Sequence, residues 1–263
     1  ASGNGSKGLK VDGTYTQSDG TVNVEAKGSN IGSSGNKFLR MSPPPEFEAG
    51  LGFAPAFNRN GGRFERAGRT PPGSEESAPG ATSTSTSSAS ASAKGVKVTG
   101  AITVSGGKLY AKSASHEAIE SKSTIDITGG EVYGKSDADD GINAASHFTI
   151  SGGYVCGYAQ NNDGLDSNGN LYIKGGVVYA IGSTTPEKSI DANTEGGYKL
   201  YISGGVVMAL GPLEDGSSLT QSCYSASSWS EDTTYGLTVG DTVYTFKTPS
   251  SISGYGSGIV VSG

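Results

Sequence analysis

Aligned on a short recurring step, the second half of this chain brings its acids into columns. The position after a recurring apolar residue reads Lys10, Lys97, Glu120, Asn143, Asp166 and Asp191. Two positions before that residue stand Lys7, Lys94, Glu117, Asp140, Asp163 and Lys188, and one earlier still come Ser6, Ala93, His116, Asp139, Asn162 and Glu187. Carboxylates at strand spacing raise one another's pKa unless a cation sits among them. Glu120, Asp139, Asp140, Asn143, Asn162, Asp163, Asp166 and Asp191 offer oxygen donors from adjacent turns. An oxygen-rich, partly flexible cage suits calcium better than a soft metal, so these residues are the candidate metal ligands and calcium the candidate cofactor. Turn chemistry is the competing explanation, because Asp and Asn are favoured before Gly in DADDG and NNDG. It accounts for each turn alone, but not for Asn143, Asp166 and Asp191 falling in register beyond the apolar residue.

Another column, Tyr110, Tyr133, Cys156, Tyr179 and Met208, alternates with Leu109, Val132, Val155, Val178 and Val207 and is expected to face outward. Exposed tyrosines at this spacing either stack on sugar rings or pair across strands to stiffen a sheet. Tyr110, Tyr133 and Tyr179 are therefore candidate ligand contacts, as are Lys94 and Lys97, which are read as exposed cations one turn from Glu117 and Glu120. His116 and His147 fall in different columns, and no Ser/His/Asp or Cys/His arrangement appears, which leaves covalent hydrolysis without support. Cys156 and Cys223 permit one disulfide, which would pin the C-terminal segment to the outer face, and two free thiols are the alternative.

The elements that position these residues follow from the same period. ITVSGGKLY, IDITGGEVY, FTISGGYVC, LYIKGGVVY and LYISGGVVM repeat one pattern, and the second glycines of the first four, Gly107, Gly130, Gly153 and Gly176, keep a constant step of 23. The leading apolar residues Val96, Ile119, Ile142 and Leu165 keep the same step, and Ile190 follows after a longer one of 25. Leu9 precedes Gly20 by the same interval as Val96 precedes Gly107, and so marks a first turn. Units this small bury their apolar faces only against their neighbours, as in a solenoid. Alternation puts Ile102 and Val104, Ile125 and Ile127, and their equivalents inward, and two further short strands per turn imply three parallel sheets.

The separation of Leu9 and Val96 is 87 where one period is 23, so an insertion of 64 divides the first two turns. It holds Phe38, Phe47, Phe53, Phe57 and Phe64 and all the arginines, and then becomes a Ser, Thr and Ala tract over 81–93 that reads as a tether. The predicted organisation is a first turn over 1–32, the insertion over 33–93, repeats over 94–211 and a capping segment over 212–263. After Leu210 the period is lost, and LTVGDTVYTF, Leu237 to Phe246, reads as a β-hairpin that closes the exposed end of the stack.

Composition agrees with this architecture. The 43 glycines and the 33% hydrophobic content suit turns with corners around a narrow core. A net charge of -6 without a basic stripe argues against nucleic acid as a partner. No run approaches the length of a transmembrane helix, and a monomer is expected.

The segments KGVKVTGAITVSGG, EAIESKSTIDITGG, DDGINAASHFTISGG and NDGLDSNGNLYIKGG resemble the exported carbohydrate-binding β-helix domains of bacteria that are similar to pectate lyases. The resemblance covers Lys7 to Asp12 and Lys94 to about Leu210. It implies an all-β, single-stranded right-handed parallel β-helix, with one repeat and three short strands per turn and a C-terminal hairpin cap. It also implies bound calcium, with Asp140, Asn143, Asp163, Asp166 and Asp191 in that role, and affinity for acidic plant polysaccharide such as polygalacturonate at the cell surface or outside the cell. The pattern departs from regularity at Glu117 and Lys188, which occupy the column of Asp140 and Asp163. Alternative functions are a calcium-dependent lyase using Lys94 or Lys97 as the base, which carboxylates nearby should instead keep protonated, and a structural adhesin segment.

Overall fold

The computed structural model describes residues 1–29 and 92–263. The Phe- and Arg-containing insertion and most of its Ser, Thr and Ala tract lie outside the described residues.

The described chain is all-β. In order, its strands are β1 (Leu9–Val11), β2 (Tyr15–Gln17), β3 (Thr21–Ala26), β4 (Val96–Val98), β5 (Ile102–Ser113), β6 (Ile119–Ser121), β7 (Ile125–Ser136), β8 (Ile142–Ala144) and β9 (Phe148–Ala159). There follow β10 (Leu165–Ser167), β11 (Leu171–Ile181), β12 (Leu200–Leu210), β13 (Ser218–Leu219), β14 (Cys223–Ala226), β15 (Thr234–Val239), β16 (Thr242–Lys247) and β17 (Ile259–Ser262). The three-residue strands stack in parallel in the order β1-β4-β6-β8-β10, and the long strands β5, β7, β9, β11 and β12 stack in a second sheet. Register follows the period: Leu9 pairs with Val96, Val96 with Ile119, Ile119 with Ile142 and Ile142 with Leu165.

Three sheets were expected and two main ones form, because the glycine pair bends a strand without ending it. Each long strand carries both remaining segments of its turn, with register shifts flanking the bend, for instance between Val104 and Lys108. The second glycine of each pair has positive φ, 72° at Gly107 and 84° at Gly205, a region costly for other L-residues. The spacing also demands glycine: a Cβ on Gly153 would lie 2.6 Å from the Gly130 carbonyl oxygen of the turn before.

The apolar residues predicted to face inward form one continuous core, with Ile102, Val104, Ile125, Ile127, Phe148, Ile150, Leu171, Ile173, Leu200 and Ile202 all buried. Two expectations about the C-terminal part are corrected. The stack does not stop at Leu210, because Leu213, one period after Ile190, bridges to it and opens a further partial turn. The hairpin forms as β15 and β16, but the edge of β12 is covered by β13 and the antiparallel β17. Strand pairing satisfies the backbone groups that such an edge would otherwise leave open. Phe246 of the hairpin instead packs against Tyr179, ring centroids 5.5 Å apart, in a second apolar cluster on the outer face.

Candidate functional site

The three-residue strands β4, β6, β8 and β10 each turn their middle residue away from the core, which aligns Lys97, Glu120, Asn143 and Asp166 in paired register. The bridges from Leu165 to Ile190 and from Ile190 to Leu213 continue the column through Asp191 to Glu214. Glu214 was missed in the sequence, although one further period from Asp191 reaches it; the signal was hidden because no glycine-pair motif follows. The candidates do not form one patch but divide into three groups along the stack.

At the first group the lysines meet the glutamates. Lys94 is 3% exposed, with its Nζ 2.7 Å from Glu117 Oε2 and 2.6 Å from Glu120 Oε1. Lys122 also meets Glu120, and Lys97 Nζ stands 3.8 Å from its other oxygen. Burial acts to raise the Glu120 pKa, but the bonds from Lys122 and Lys94 prevail and hold it below the usual carboxylate value. Burial lowers the Lys94 pKa against the pull of Glu120. The reading of Lys94 as an exposed anion contact is therefore corrected: its ammonium is engaged by two buried carboxylates. The same enclosure denies a polymer access to it as a base. Glu120 likewise belongs to this ion cluster.

The second group joins Asp139 and Asn162 to a histidine. His116 Nδ1 lies 2.6 Å from Asp139 Oδ2 and also meets Glu117, while Asn162 Nδ2 donates to Asp139 Oδ1 at 2.9 Å. Burial raises the Asp139 pKa, but the bonds from His116 and Asn162 outweigh it and leave this carboxyl below its ordinary value. His116, Glu117 and Asp139 lie close enough to share an ion, but Lys94 already meets Glu117, and His116 and Asn162 already meet Asp139.

The third group is of a different character. One carboxylate oxygen from each of Asp163, Asp166 and Asp191 lies within 4.8 Å of the others, Asp163 and Asp166 from one turn and Asp191 from the next. Asn143 donates from Nδ2 to Asp140 Oδ2 at 3.0 Å and also to Asp166. The backbone N–H of Asp163 donates to Asp140 Oδ1 at 3.3 Å, and that of Lys188 donates to Asp163. The Lys188 ammonium is directed elsewhere, 3.2 Å from Asp215. Burial, with Asp166, Asp139 and Asp163 nearby, pushes Asp140 well up. Burial pushes Asp163 up to about 7, and burial with the Asp163 charge does the same for Asp166. Asp191 rises to about 9 through burial, its hydrogen bond to Glu214 and the surrounding charges. This group has an excess of oxygen ligands and, among the described residues, no ammonium within it, so its carboxylates must share protons or a cation.

The tyrosine column is mostly covered. Tyr179 is 1% exposed, and its hydroxyl donates to the Lys247 carbonyl at 2.8 Å, so its reading as an exposed sugar contact is corrected. Trp229, Phe246 and Tyr255 cover this part of the column. Tyr110 donates to Glu131 and meets Tyr133 edge-on, with centroids 6.2 Å apart. The same covering explains the cysteines: both are free, Cys156 buried and Cys223 exposed, which overturns the expected disulfide. The C-terminal segment does return over Cys156, but it brings aromatic rings, while Cys223 sits in β14 with its sulfur 3.1 Å from Ser262 Oγ.

A family model described as carbohydrate-binding domain-containing protein matches residues 2–141, and the chain belongs to that family. Neither the curated proteins nor the solved structures give a match. The family match supports a polysaccharide partner. Among the described residues no helix is long and apolar enough to cross a membrane.

Proposed function

We propose that this protein is a calcium-dependent binding module for acidic, uronate-containing polysaccharide, built as a right-handed parallel β-helix, exported, and acting as a monomer at the cell surface. The observation that carries the reading is the group of Asp163, Asp166 and Asp191, whose oxygens converge from two adjacent turns without a compensating ammonium among the described residues. These three residues, with Asp140 and Asn143 beside them, have the all-oxygen chemistry that suits calcium. Once bound, calcium would supply positive charge to which a uronate carboxylate can attach. The residues themselves hold the ion and set its place in the stack, while Lys97, 24% exposed at its side chain, offers a further anion contact. The family to which the chain belongs supports the carbohydrate half of this reading. It is tested by titrating calcium into the chelated protein, then measuring binding to polygalacturonate and to a neutral glucan with calcium and with chelator. Calcium-dependent preference for polygalacturonate, lost in Asp163→Asn with Asp166→Asn, is expected. Equal binding to both polymers, indifferent to chelator, would defeat the proposal.

A further inference from the structure

The face just before the glycine bend carries a second feature, made of rings. Its outward column reads Thr103, Asp126, Thr149, Tyr172 and Tyr201 in paired register. The rings of Tyr172 and Tyr201 stack with centroids 5.0 Å apart and planes 13° from parallel. His147 stands edge-on to Tyr172 at 6.4 Å and to Tyr198 at 5.8 Å. The next residue paired beyond Tyr201 is Ser218, whose small side chain cannot cover a phenol ring.

Cross-strand stiffening accounts for Tyr172 with Tyr201, but not for Tyr198. That residue is 39% exposed and lies in no strand. It stands on the lengthened turn that separates Leu171 from Leu200, where the tight bend at Asn193 to Tyr198 is closed by a backbone bond of 3.0 Å. Insertions in a repeat fall on one face, often the binding face. A single residue also fixes the arrangement. Asn170 donates its backbone N–H to His147 Nδ1 at 3.0 Å, donates from Nδ2 to the Tyr172 hydroxyl at 2.8 Å, and accepts the Lys199 N–H at 2.8 Å. The rings are thus held in place before any ligand arrives, which reduces the ordering cost of binding.

We propose that Tyr198 and Tyr201 form a second carbohydrate subsite, which stacks a pyranose ring by its C–H face and does not need calcium, with His147 and Tyr172 as its support, since the Tyr172 ring is itself taken by Tyr201 and by the Lys174 ammonium, 4.9 Å from its centroid. Tyrosine presents a large apolar surface with a polar tip and few torsions to fix, which suits a ligand that is apolar on its ring face and hydroxylated at its edge. Tyr172 follows Asp166 closely on the same turn, within a reach of at most about 20 Å. The inference rests on the chain binding carbohydrate, but not on the metal.

The test uses the whole chain with tetragalacturonic acid and cellotetraose as probes, by calorimetry or ligand-observed NMR, each in calcium and in chelator. At least one probe is expected to bind in chelator, with affinity roughly tenfold lower in Tyr201→Ala and in Tyr198→Ala. Tyr198→Ala lies in the exposed turn and serves as the variant that leaves the stack intact, checked by an unchanged melting curve. If neither probe binds in chelator, or if both folded variants bind as the wild type does, the subsite is refuted. Chelator-resistant binding lost in the tyrosine variants, with no gain from calcium, would uphold the subsite while the calcium reading fails. Calcium-dependent binding that both tyrosine variants retain would do the reverse.

Discussion

The Lys94 ammonium lies 2.6 Å from Glu120 across one turn of the stack, and neither side chain is more than 3% exposed. Glu117, from the same turn as Glu120, adds a second contact at 2.7 Å. Removing one partner of a buried ion pair strands the charge of the other, which typically costs about 3–5 kcal/mol. Because Lys122 and Lys97 still face Glu120, Lys94→Gln should destabilise the protein by less than that, about 1–3 kcal/mol, in denaturant titration. Lys94→Gln combined with Glu120→Gln should recover part of the loss, since the two sites are coupled. A Lys94→Gln protein as stable as wild type would show that the ammonium is not the counterion described here.

The cysteines give a simple chemical readout. Cys156 is buried beneath the C-terminal aromatics, and burial pushes its thiol up to about 12, whereas Cys223 is exposed. The thiolate is the reactive form. One thiol should therefore react with a disulfide reagent in the native protein and two after denaturation without reductant. Finding none in the denatured protein would restore the disulfide.

What could be read from the sequence is what repeats. The period located the core residues, the register and the outward columns, because stacking turns a constant step directly into contacts. Burial of those columns was not legible. Tyr179 is covered by Trp229, Phe246 and Tyr255, and all three come from the segment without a period. Lys94 was read as a surface cation because its column contains charges in every turn, yet only its two glutamate partners make a burial of this depth tolerable. Tyr172 and Tyr201 were equally visible in register, but the rings that join them, His147 and Tyr198, lie outside the strands.

Two glycines separate the backbone requirement from the packing requirement. Gly153 and Gly240 both have positive φ, 78° and 59°, but a Cβ on Gly240 meets nothing within 4 Å, while one on Gly153 would lie 2.6 Å from Gly130 O and 2.7 Å from Gly129 C. Gly240→Ala should cost only the conformational penalty, about 1–2 kcal/mol. Gly153→Ala adds a clash with the backbone of the preceding turn and should cost about 4 kcal/mol or more, in the range reserved for severe core defects. Comparison of the two melting curves checks the difference, and equal losses would mean that the turns can separate to admit a methyl group.

The carboxylate group makes stability depend on pH and calcium together. Asp163 and Asp166 rise from an ordinary 3.8 to about 7, and Asp191 to about 9, with burial the leading cause. A carboxyl whose folded pKa is raised favours the folded state fully below its unfolded value, and that advantage is lost as pH climbs through the folded value. In chelator, the melting temperature should therefore fall as pH rises from about 5 to about 8. Calcium competes with protons for the same oxygens, so its effect should grow over that interval. At a hundredfold excess over Kd it would add about 2.7 kcal/mol, which for a domain of this size is roughly 5–10 °C. Asp163→Asn with Asp166→Asn should raise the melting temperature in chelator at pH 8 and abolish the calcium effect. Melting scans at pH 5, 6.5 and 8, with calcium and with chelator, decide the matter. A chelated protein that grows more stable up to pH 8 would contradict the raised carboxyls, and a calcium shift surviving in the double variant would place the ion elsewhere.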